Sequence, residues 1–173
     1  RTEIIEGDHS IMIEELINEE NMVVTISHSG YIKRSSVSDY RLQRRGGKGR
    51  LGMSTKDEDF VETMFVASTH DYLLFFTDRG QIFRKKVFEL PQAGPTGRGK
   101  AVVNLLPLRE GEKVCTYLNV PQESENQYIL MCTEKGICKK ISMLDCSKIR
   151  VSGLRGISLD EGDSLISAQL TTG

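Results

Sequence analysis

Short apolar runs separated by turn-forming residues dominate the chain. Each run is between six and nine residues long, which is the usual length of a strand and is too short for most helices. In the last run Ile166, Ala168 and Leu170 alternate with polar residues, the period-two pattern of a strand with one buried face. Strands are therefore predicted over 22–27, 60–68, 72–77, 114–120, 128–133 and 165–170.

The composition strengthens the prediction of an all-β fold. Val, Ile and Thr together number 36 against four Ala, and β-branched residues favour strands whereas Ala favours helices. One stretch, 11–20, is compatible with a helix, although its apolar positions fit a strand equally well. With 38% apolar and 27% charged residues, the chain is typical of a globular protein. It contains neither an apolar run near the roughly 18 residues of a membrane span nor an export signal.

The four cysteines have no metal-binding spacing. Cys115, Cys132, Cys138 and Cys146 include no C-x-x-C pair, and the three histidines lie far from them, so a metal site is not expected. Two disulfides are the alternative, but a chain of this length can build a core without covalent links. We expect four reduced, partly buried thiols.

The chain consists of three copies of one unit. Gly30, Gly80 and Gly136 each follow an apolar strand and precede a strand that ends in two basic residues, the pattern of a β-hairpin whose turn needs a positive φ. A second element of glycines and basic residues follows each turn glycine by about 19 or 20 residues, and an acidic turn then closes the unit. The units span approximately 22–70, 71–126 and 127–173.

A repeat of about 50 residues that contains several strands is typical of propeller blades. Blades bury their faces against their neighbours, and three blades are too few to close a ring. We therefore expect a propeller-like fold in which about three blades form part of a longer domain.

The net charge of −1 conceals a strong segregation of charge along the repeat. The windows 31–56, 79–100 and 135–156 together carry +17, and the remaining residues carry −18. If equivalent positions lie at equivalent places on successive blades, these windows form a basic band on the outer rim. Such a band suits a nucleic-acid duplex that contacts each blade. Basic residues that merely solvate strand ends, and a rim that binds acidic proteins, are the alternatives.

One segment of the first unit matches a known motif at every position. Residues 43–49 are Gln-Arg-Arg-Gly-Gly-Lys-Gly, and with this GyrA box the chain resembles the C-terminal domain of the DNA gyrase A subunit. The segments 21–27 and 65–74 also resemble that family, and the resemblance covers essentially the whole chain. It implies a β-pinwheel, a propeller-like domain of normally six blades that exchange strands. It also implies that residues 1–21 are a lead-in from the breakage-reunion core and that 22–173 are a partial pinwheel.

The motif and the basic band define the predicted DNA-binding residues. Adjacent arginines direct fork-shaped donors at phosphate oxygens, and the glycines let backbone amides approach and the loop turn sharply. The second and third units carry degenerate versions of the box, at 97–100 and 153–156. A surface turn that needs glycine for geometry alone is the alternative. The predicted set is Lys33, Arg34, Arg41, Gln43, Arg44, Arg45, Gly46, Gly47, Lys48, Gly49, Arg50, Arg84, Lys85, Arg98, Lys100, Lys139, Lys140 and Arg155.

The resemblance implies that the chain wraps duplex DNA and thereby enables ATP-dependent negative supercoiling by the whole enzyme, a type II topoisomerase. The chain itself is expected to be non-catalytic and without a cofactor, because ATP, Mg²⁺ and the nucleophilic tyrosine belong to other parts of that enzyme. The implied partners are double-stranded DNA and the gyrase B subunit, together with the rest of the A subunit, in an A2B2 heterotetramer. The implied location is the bacterial cytoplasm, away from membranes. The corresponding subunit of topoisomerase IV is the related alternative, although its box is usually degraded.

A nucleotide site is not expected, despite a partial match to the P-loop pattern. Residues 94–100 fit G-x-x-x-x-G-K, but Ala101 stands where a magnesium-binding hydroxyl is needed. Residues 102–106 are predicted to form a strand rather than the helix that follows a P-loop.

Overall fold

Three antiparallel β-sheets make up the fold. The computed structural model describes residues 15–41, 59–121, 126–146 and 149–172. The six strands predicted from the apolar runs are all present, and those over 72–77, 114–120 and 128–133 have the predicted bounds, so the all-β prediction is confirmed. In chain order the elements are β1 (Asn21–Ser27), β2 (Tyr31–Ser36), α1 (Val37–Arg41), β3 (Val61–Ser68), β4 (Tyr72–Thr77), β5 (Gln81–Lys86), a 3-10 turn (Val87–Glu89), β6 (Lys100–Ala101), α2 (Val102–Leu105), β7 (Val114–Val120), β8 (Tyr128–Thr133), β9 (Cys138–Ser142), α3 (Met143–Cys146), β10 (Leu154–Arg155) and β11 (Leu165–Thr171).

Successive units exchange a strand. The strand orders are β3-β1-β2-β6 in the first sheet, β10-β5-β4-β7 in the second and β11-β8-β9 in the third. The short strand β6 comes from the second unit but pairs with β2 of the first, where Lys100 lies opposite Ile32. In the same way β10 of the third unit pairs with β5, where Leu154 lies opposite Ile82. Each of the first two sheets is therefore completed by the unit that follows it in the chain.

A glycine and a hydroxyl side chain shape the turn of every hairpin. Gly30, Gly80 and Gly136 have φ angles of +87°, +80° and +87°, which glycine adopts at little cost. Three residues before each glycine, a hydroxyl oxygen accepts an amide N–H from across the turn at 3.1 or 3.2 Å. These hydroxyl residues are Ser27, Thr77 and Thr133. The hairpin predictions are confirmed by this geometry.

The second sheet is buried on both faces because it lies between the other two. Leu73 and Phe75 of β4 pack in the cluster that contains the first sheet. The alternate residues, Leu74 and Phe76, pack in the cluster that contains the third sheet. Because both faces are covered, β4 is a continuous apolar run rather than an alternating one.

Short helical turns occur where the sequence predicted none. One follows the second hairpin strand of every unit, as α1, the 3-10 turn and α3. The strand predicted over 102–106 is wrong, since Val102–Leu105 is the helix α2. This segment directly follows the edge strand β6. A hydrogen bond of 3.1 Å from the Leu106 N–H to the Val102 carbonyl closes a helical turn, so its backbone groups are paired locally.

Of the ambiguous stretch 11–20, the structure describes residues 15–20, in which Glu15 and Leu16 are helical. No helix in the described part of the chain is both long and apolar enough to cross a membrane.

The buried face of the last strand differs from the prediction. Ile166 is 57% exposed, whereas Leu165 and Ala168 are buried. The pairing of β11 with β8 shifts register between Leu165 and Ser167. An extra residue at such a bulge breaks the strict alternation of faces, and Ile166 therefore points away from the core.

Two of the four cysteines are paired, in contrast to the expected four thiols. Cys132 and Cys138 lie directly opposite each other on β8 and β9 and form a disulfide. Cys115 and Cys146 are free. The sequence could not show this pairing because it depends on the register of the hairpin.

Aspartate side chains of the acidic turns accept hydrogen bonds from the hairpin turns. The Oδ1 atom of Asp163 accepts the amides of Lys135 and Ser164 at 3.0 and 2.9 Å, and Asp59 binds two amides in the same way in the first unit. Burial acts to raise the pKa of both carboxyl groups, but the hydrogen bonds that they accept outweigh it and lower the pKa. Each ionised side chain therefore links a hairpin turn to the residue that precedes the next strand of the same sheet.

We expect Asp163→Asn to destabilise the protein at neutral pH but not in acid. A carboxyl group whose pKa is lower in the folded state stabilises the fold above its unfolded pKa of about 3.9, and this contribution is lost as the pH falls through the folded value. Urea unfolding at pH 7 and below pH 3 measures the difference from the wild type, with Asp160→Asn as an exposed control in the same turn. A difference that is independent of pH would contradict the expectation.

Candidate nucleic-acid interface

Positive charge on the described strands is confined to one side of each sheet. We define the outer strands as β2, β5 and β9 together with the exchanged strands β6 and β10, which lie at or next to one edge of their sheets. The other six strands contain no Lys or Arg. The basic residues on the outer strands are Lys33, Arg34, Arg84, Lys85, Lys86, Lys100, Lys139, Lys140 and Arg155. The sheet order thus converts the charge segregation along the sequence into a basic band.

Four of these side chains are exposed and have no acidic partner in the part of the chain that the structure describes. They are Lys100, Lys139, Lys140 and Arg155. The close contact of an imidazole with a carboxylate in the described ranges lies elsewhere, between His28 Nδ1 and Glu62 Oε1 at 3.4 Å. Exposed cations without acidic neighbours generate a positive potential that attracts phosphate groups.

A basic residue four positions after each turn glycine contacts the start of the neighbouring strand. The separations are 3.1 Å from a guanidinium nitrogen to a sulfur atom, and 4.5 and 4.8 Å from a cationic group to the centre of an aromatic ring. The three pairs are Arg34 with Met22, Arg84 with Tyr72, and Lys140 with Tyr128. The two arginines also donate to backbone carbonyls of the next unit in the chain, Arg34 to Leu90 at 2.8 Å and Arg84 to Cys146 at 3.3 Å. Both arginines therefore hold their outer strand against the neighbouring strand and the next unit, and both are half-buried.

Lys33 is buried, and we withdraw it from the predicted set. Its side chain has no exposed surface, and its Nζ donates to three backbone carbonyls of the loop 94–97 at 2.8, 3.0 and 3.0 Å. Burial lowers the pKa of Lys33, and the charge of Asp39 offsets this in part. A phosphate cannot reach this ammonium group, which instead holds the loop that leads to Arg98.

The second copy of the glycine-rich element shows how its residue pattern folds. The guanidinium of Arg98 lies 3.9 Å from the centre of the Tyr31 ring, a cation–π contact. Gly99 has a φ of +81°, and a Cβ there would collide with the carbonyl of Ile32. Lys100 follows at the surface of β6. The sequence Gly-basic-Gly-basic thus joins the preceding sheet and presents its basic residues at the edge of that sheet.

The third copy of the element has the same backbone but fewer charges. Gly153 has a φ of +89°, and a Cβ there would lie 2.8 Å from the ring of Phe83. Arg155 on β10 is exposed. This copy therefore contributes one basic side chain to the band.

The predicted set missed Arg150. Its side chain is exposed and lines a groove of about 260 Å³ together with Arg84, Lys85 and Lys86. Lys86 itself is buried, with its Nζ 3.9 Å from the centre of the Tyr72 ring. Membership of a basic window was the signal available in the sequence, and in the structure Arg150 lies beside the basic residues of β5.

Some predicted residues cannot be placed. Arg41 is the last residue of α1, and the structure describes only its backbone. The residues of the box itself lie outside the described residues; they are Gln43, Arg44, Arg45, Gly46, Gly47, Lys48, Gly49 and Arg50. In the described ranges no three His, Cys, Asp or Glu side chains are placed to hold a metal ion.

The chain is similar to known proteins over its whole length. A family model described as the C-terminal domain of DNA gyrase, a β-propeller, matches residues 21–68, 71–114 and 127–172. The DNA gyrase A subunit of Clostridium acetobutylicum is 43% identical over 173 residues, which are all of this chain and 21% of that protein. The corresponding protein of Escherichia coli is 42% identical over 173 residues and 20% of its length. The chain spans about a fifth of the length of these relatives.

Solved structures share the fold. The crystal structure of the C-terminal domain of DNA topoisomerase IV matches with a TM-score of 0.77 and 28% identity, over 91% of this chain and 48% of that one. A structure of the DNA gyrase A C-terminal domain matches with a TM-score of 0.66 and 26% identity, over 88% of this chain and 48% of that one. The three sheets therefore correspond to about half of each of these domains.

Proposed function

The chain belongs to the DNA gyrase C-terminal domain family of β-propellers, and on that premise we propose that it binds duplex DNA along its outer strands and bends it. The observation that supports this best is the confinement of strand-borne positive charge to the outer strands. Each sheet contributes basic residues to the band. A duplex that follows the band contacts one sheet after another through its phosphates.

The aromatic residues of the band favour a duplex over a single strand. Binding of single strands relies on aromatic faces that are free to stack on bases. Here the rings of Tyr31, Tyr72 and Tyr128 are each covered by a cationic group at 3.9 to 4.8 Å. The remaining binding groups are exposed ammonium and guanidinium groups, which contact phosphates without reading the base sequence.

The packing of the sheets supports the proposed bending of the DNA. The second sheet packs face to face between the first and the third, so the band continues from blade to blade. Bending 20 to 30 base pairs costs about 1–6 kcal/mol, and neutralisation of phosphates along the band offsets this cost.

In the whole enzyme this wrapping would present a neighbouring DNA segment for strand passage and favour negative supercoils. The partners would be the gyrase B subunit together with the rest of the A subunit, in an A2B2 assembly in the bacterial cytoplasm. ATP and Mg²⁺ would act outside this chain. All of these statements extend the proposal from a chain that spans about a fifth of its relatives.

Replacement of Lys100, Lys139, Lys140 and Arg155 with Gln is the test of this proposal. Each lost phosphate contact removes about 0.9 from the slope of log K against log salt, so four remove about 3.6. Between 50 and 200 mM salt, the wild type is expected to lose on the order of 100-fold more affinity for a labelled duplex than the variant does. Fluorescence anisotropy across that salt range measures the effect. An unchanged slope would overturn binding by the outer strands.

A charge-matched control replaces four exposed basic residues that lie off the outer strands. They are Arg79, Arg109, Lys113 and Lys135. Two of these side chains donate to backbone carbonyls, Arg79 to Glu110 and Lys135 to Glu161. We expect this control to keep most of the salt slope, and an equal loss in both variants would contradict a defined path.

Experiments can distinguish this proposal from its two alternatives, a topoisomerase IV domain and a rim that binds acidic proteins. The structural similarity to a topoisomerase IV domain favours the paralogous enzyme, but the intact box at 43–49 favours gyrase, and a supercoiling assay of the whole subunit distinguishes them. A rim that binds acidic proteins would bind an acidic polypeptide at least as tightly as duplex DNA, which competition in a gel-shift assay would reveal.

A further inference from the structure

A short segment before the first strand is bound to the connection between the first two sheets. We call residues 17–20 the entry segment and residues 68–71, which lead from β3 to β4, the connecting turn. The Thr69 N–H donates to the Glu20 carbonyl at 2.9 Å, and the Glu20 N–H donates to the Thr69 hydroxyl oxygen at 3.2 Å. These two hydrogen bonds continue the pairing of β1 with β3 beyond the end of the sheet.

Two side chains of the connecting turn hold the remainder of the entry segment. The hydroxyl of Thr69, a residue that is 2% exposed, also donates to the Asn18 carbonyl at 2.7 Å. The Nε2 atom of His70 lies 2.8 Å from the Ile17 carbonyl oxygen, and because a carbonyl only accepts, the imidazole N–H is the donor. Thr69 and His70 therefore fix the backbone of the entry segment at successive points.

The other side of the connecting turn is bound to the second sheet. Three of its carbonyls accept hydrogen bonds from the end of β5 and the 3-10 turn, at 3.0, 3.0 and 3.1 Å. The donors are Lys86, Val87 and Phe88, and the acceptors are the carbonyls of His70, Asp71 and Thr69, respectively. β5 also carries Arg84 and Lys85 of the basic band. One hydrogen-bonded turn therefore joins the entry segment to a strand of the band.

The position of this turn is set by the two sheets that it connects. Both sheets have four strands, including the strand that each receives from the next unit. The chain belongs to a family of C-terminal domains, so the remainder of a whole subunit would be joined to the pinwheel through the entry segment. The direction of that junction is then a property of the hydrogen bonds at Thr69 and His70.

We propose that docking of the entry segment on the connecting turn fixes the orientation of the DNA-binding band relative to the rest of the A subunit, with Thr69 and His70 as positioning residues. This inference rests on the proposed function. A docked entry segment holds the wrapped duplex in one orientation relative to the part of the enzyme that passes strands. An undocked segment would act as a flexible linker, so DNA would still bind but its neighbouring segment would be delivered less often.

Hydrogen exchange in the full chain tests the docking itself. The double variant Thr69→Val and His70→Phe keeps the shape of both side chains but removes the groups that bind the entry segment. Loss of three hydrogen bonds is expected to speed exchange of the Glu20 amide on the order of 100-fold. Thr63→Val makes the same chemical change on β3, opposite Ile26, and is expected to leave this rate unchanged. Exchange at the wild-type rate in the double variant would overturn the docking.

Supercoiling by the whole A subunit with the B subunit tests the positioning role. In the double variant we expect the rate of supercoiling to fall on the order of tenfold, while DNA relaxation stays at the wild-type rate. Thr69→Ser keeps the hydroxyl and is expected to behave like the wild type. An equal fall in relaxation, or wild-type supercoiling despite faster exchange, would overturn the positioning role.

Duplex binding by the same variants separates this inference from the proposed function. The double variant leaves the basic band intact, so its affinity is expected to fall with salt as steeply as that of the wild type. A smaller slope in the variant alone would overturn the inference, because the two residues would then act through DNA binding. Failure of the proposed function would instead appear as a wild-type chain whose DNA binding has no salt dependence, and the exchange result would be unaffected.

Discussion

Replacing Arg44, Arg45 and Lys48 with Ala in the whole subunit is expected to abolish supercoiling while DNA relaxation continues. The expectation rests on the proposed wrapping function, since wrapping biases the direction of strand passage but does not supply its chemistry. Three lost charge-assisted contacts, at about 1.5 kcal/mol each, would shift the wrapping equilibrium by on the order of 1000-fold. Supercoiling and relaxation assays on the same preparations measure the two activities.

The described units explain why these three positions are singled out. The segment 47–50 has the same Gly-basic-Gly-basic pattern as 97–100, so Lys48 corresponds to Arg98, whose guanidinium lies over Tyr31. The paired arginines have no counterpart in the second unit, where Gly94 and Pro95 occupy those positions. The first unit therefore has the densest positive charge in the sequence.

A control variant with Arg79, Arg109 and Lys113 replaced by Ala removes the same charge away from the outer strands and is expected to keep supercoiling. If the box variant supercoils DNA like the wild type, the assignment of the box to wrapping fails. If the control loses as much activity as the box variant, total charge rather than its position controls wrapping.

Lys33→Met is expected to lower the free energy of unfolding by about 2 to 4 kcal/mol. The substitution keeps most of the side-chain volume but removes the donor of three hydrogen bonds to the loop 94–97. Carbonyls left without partners near the core each cost about 1 kcal/mol or more. Urea unfolding of the full chain measures the change.

Lys139→Met is the matched control for this variant. Lys139 occupies the same position after its turn glycine as Lys33, three residues on, but it is exposed on β9. We expect a change within about 0.5 kcal/mol. A similar loss of stability in both variants would contradict the structural role of Lys33, whereas weaker DNA binding by the folded Lys139 variant alone would agree with the proposed band.

Local patterns predicted most of the secondary structure because strands and turns depend on nearby residues. Turn glycines and apolar runs located the three hairpins, with β4, β7 and β8 at the predicted bounds. The helix α2 was missed because its apolar run, 102–106, fits a strand equally well until its position at a sheet edge is known. Ile166 was misplaced because a bulge interrupts the alternation of faces.

Only part of the candidate site could be predicted from the sequence, for a related reason. The basic windows correctly located the strands that carry positive charge, since charge is a property of the sequence. They did not show that Lys33 is buried, because its burial depends on a loop of the next unit that covers it. Lys33 binds carbonyls that lie 61 to 64 residues further along the chain.

The sequence by itself thus determined the all-β class, the threefold repeat, the family and the segregation of +17 from −18 charges. Each of these follows from residue types and their short-range spacing. Only the tertiary structure decided the exchange of β6 and β10 between units, the burial of Lys33 and the pairing of Cys132 with Cys138. The physical reason is that strand exchange, burial and cross-strand pairing depend on which segments meet, and often these segments are distant in the chain.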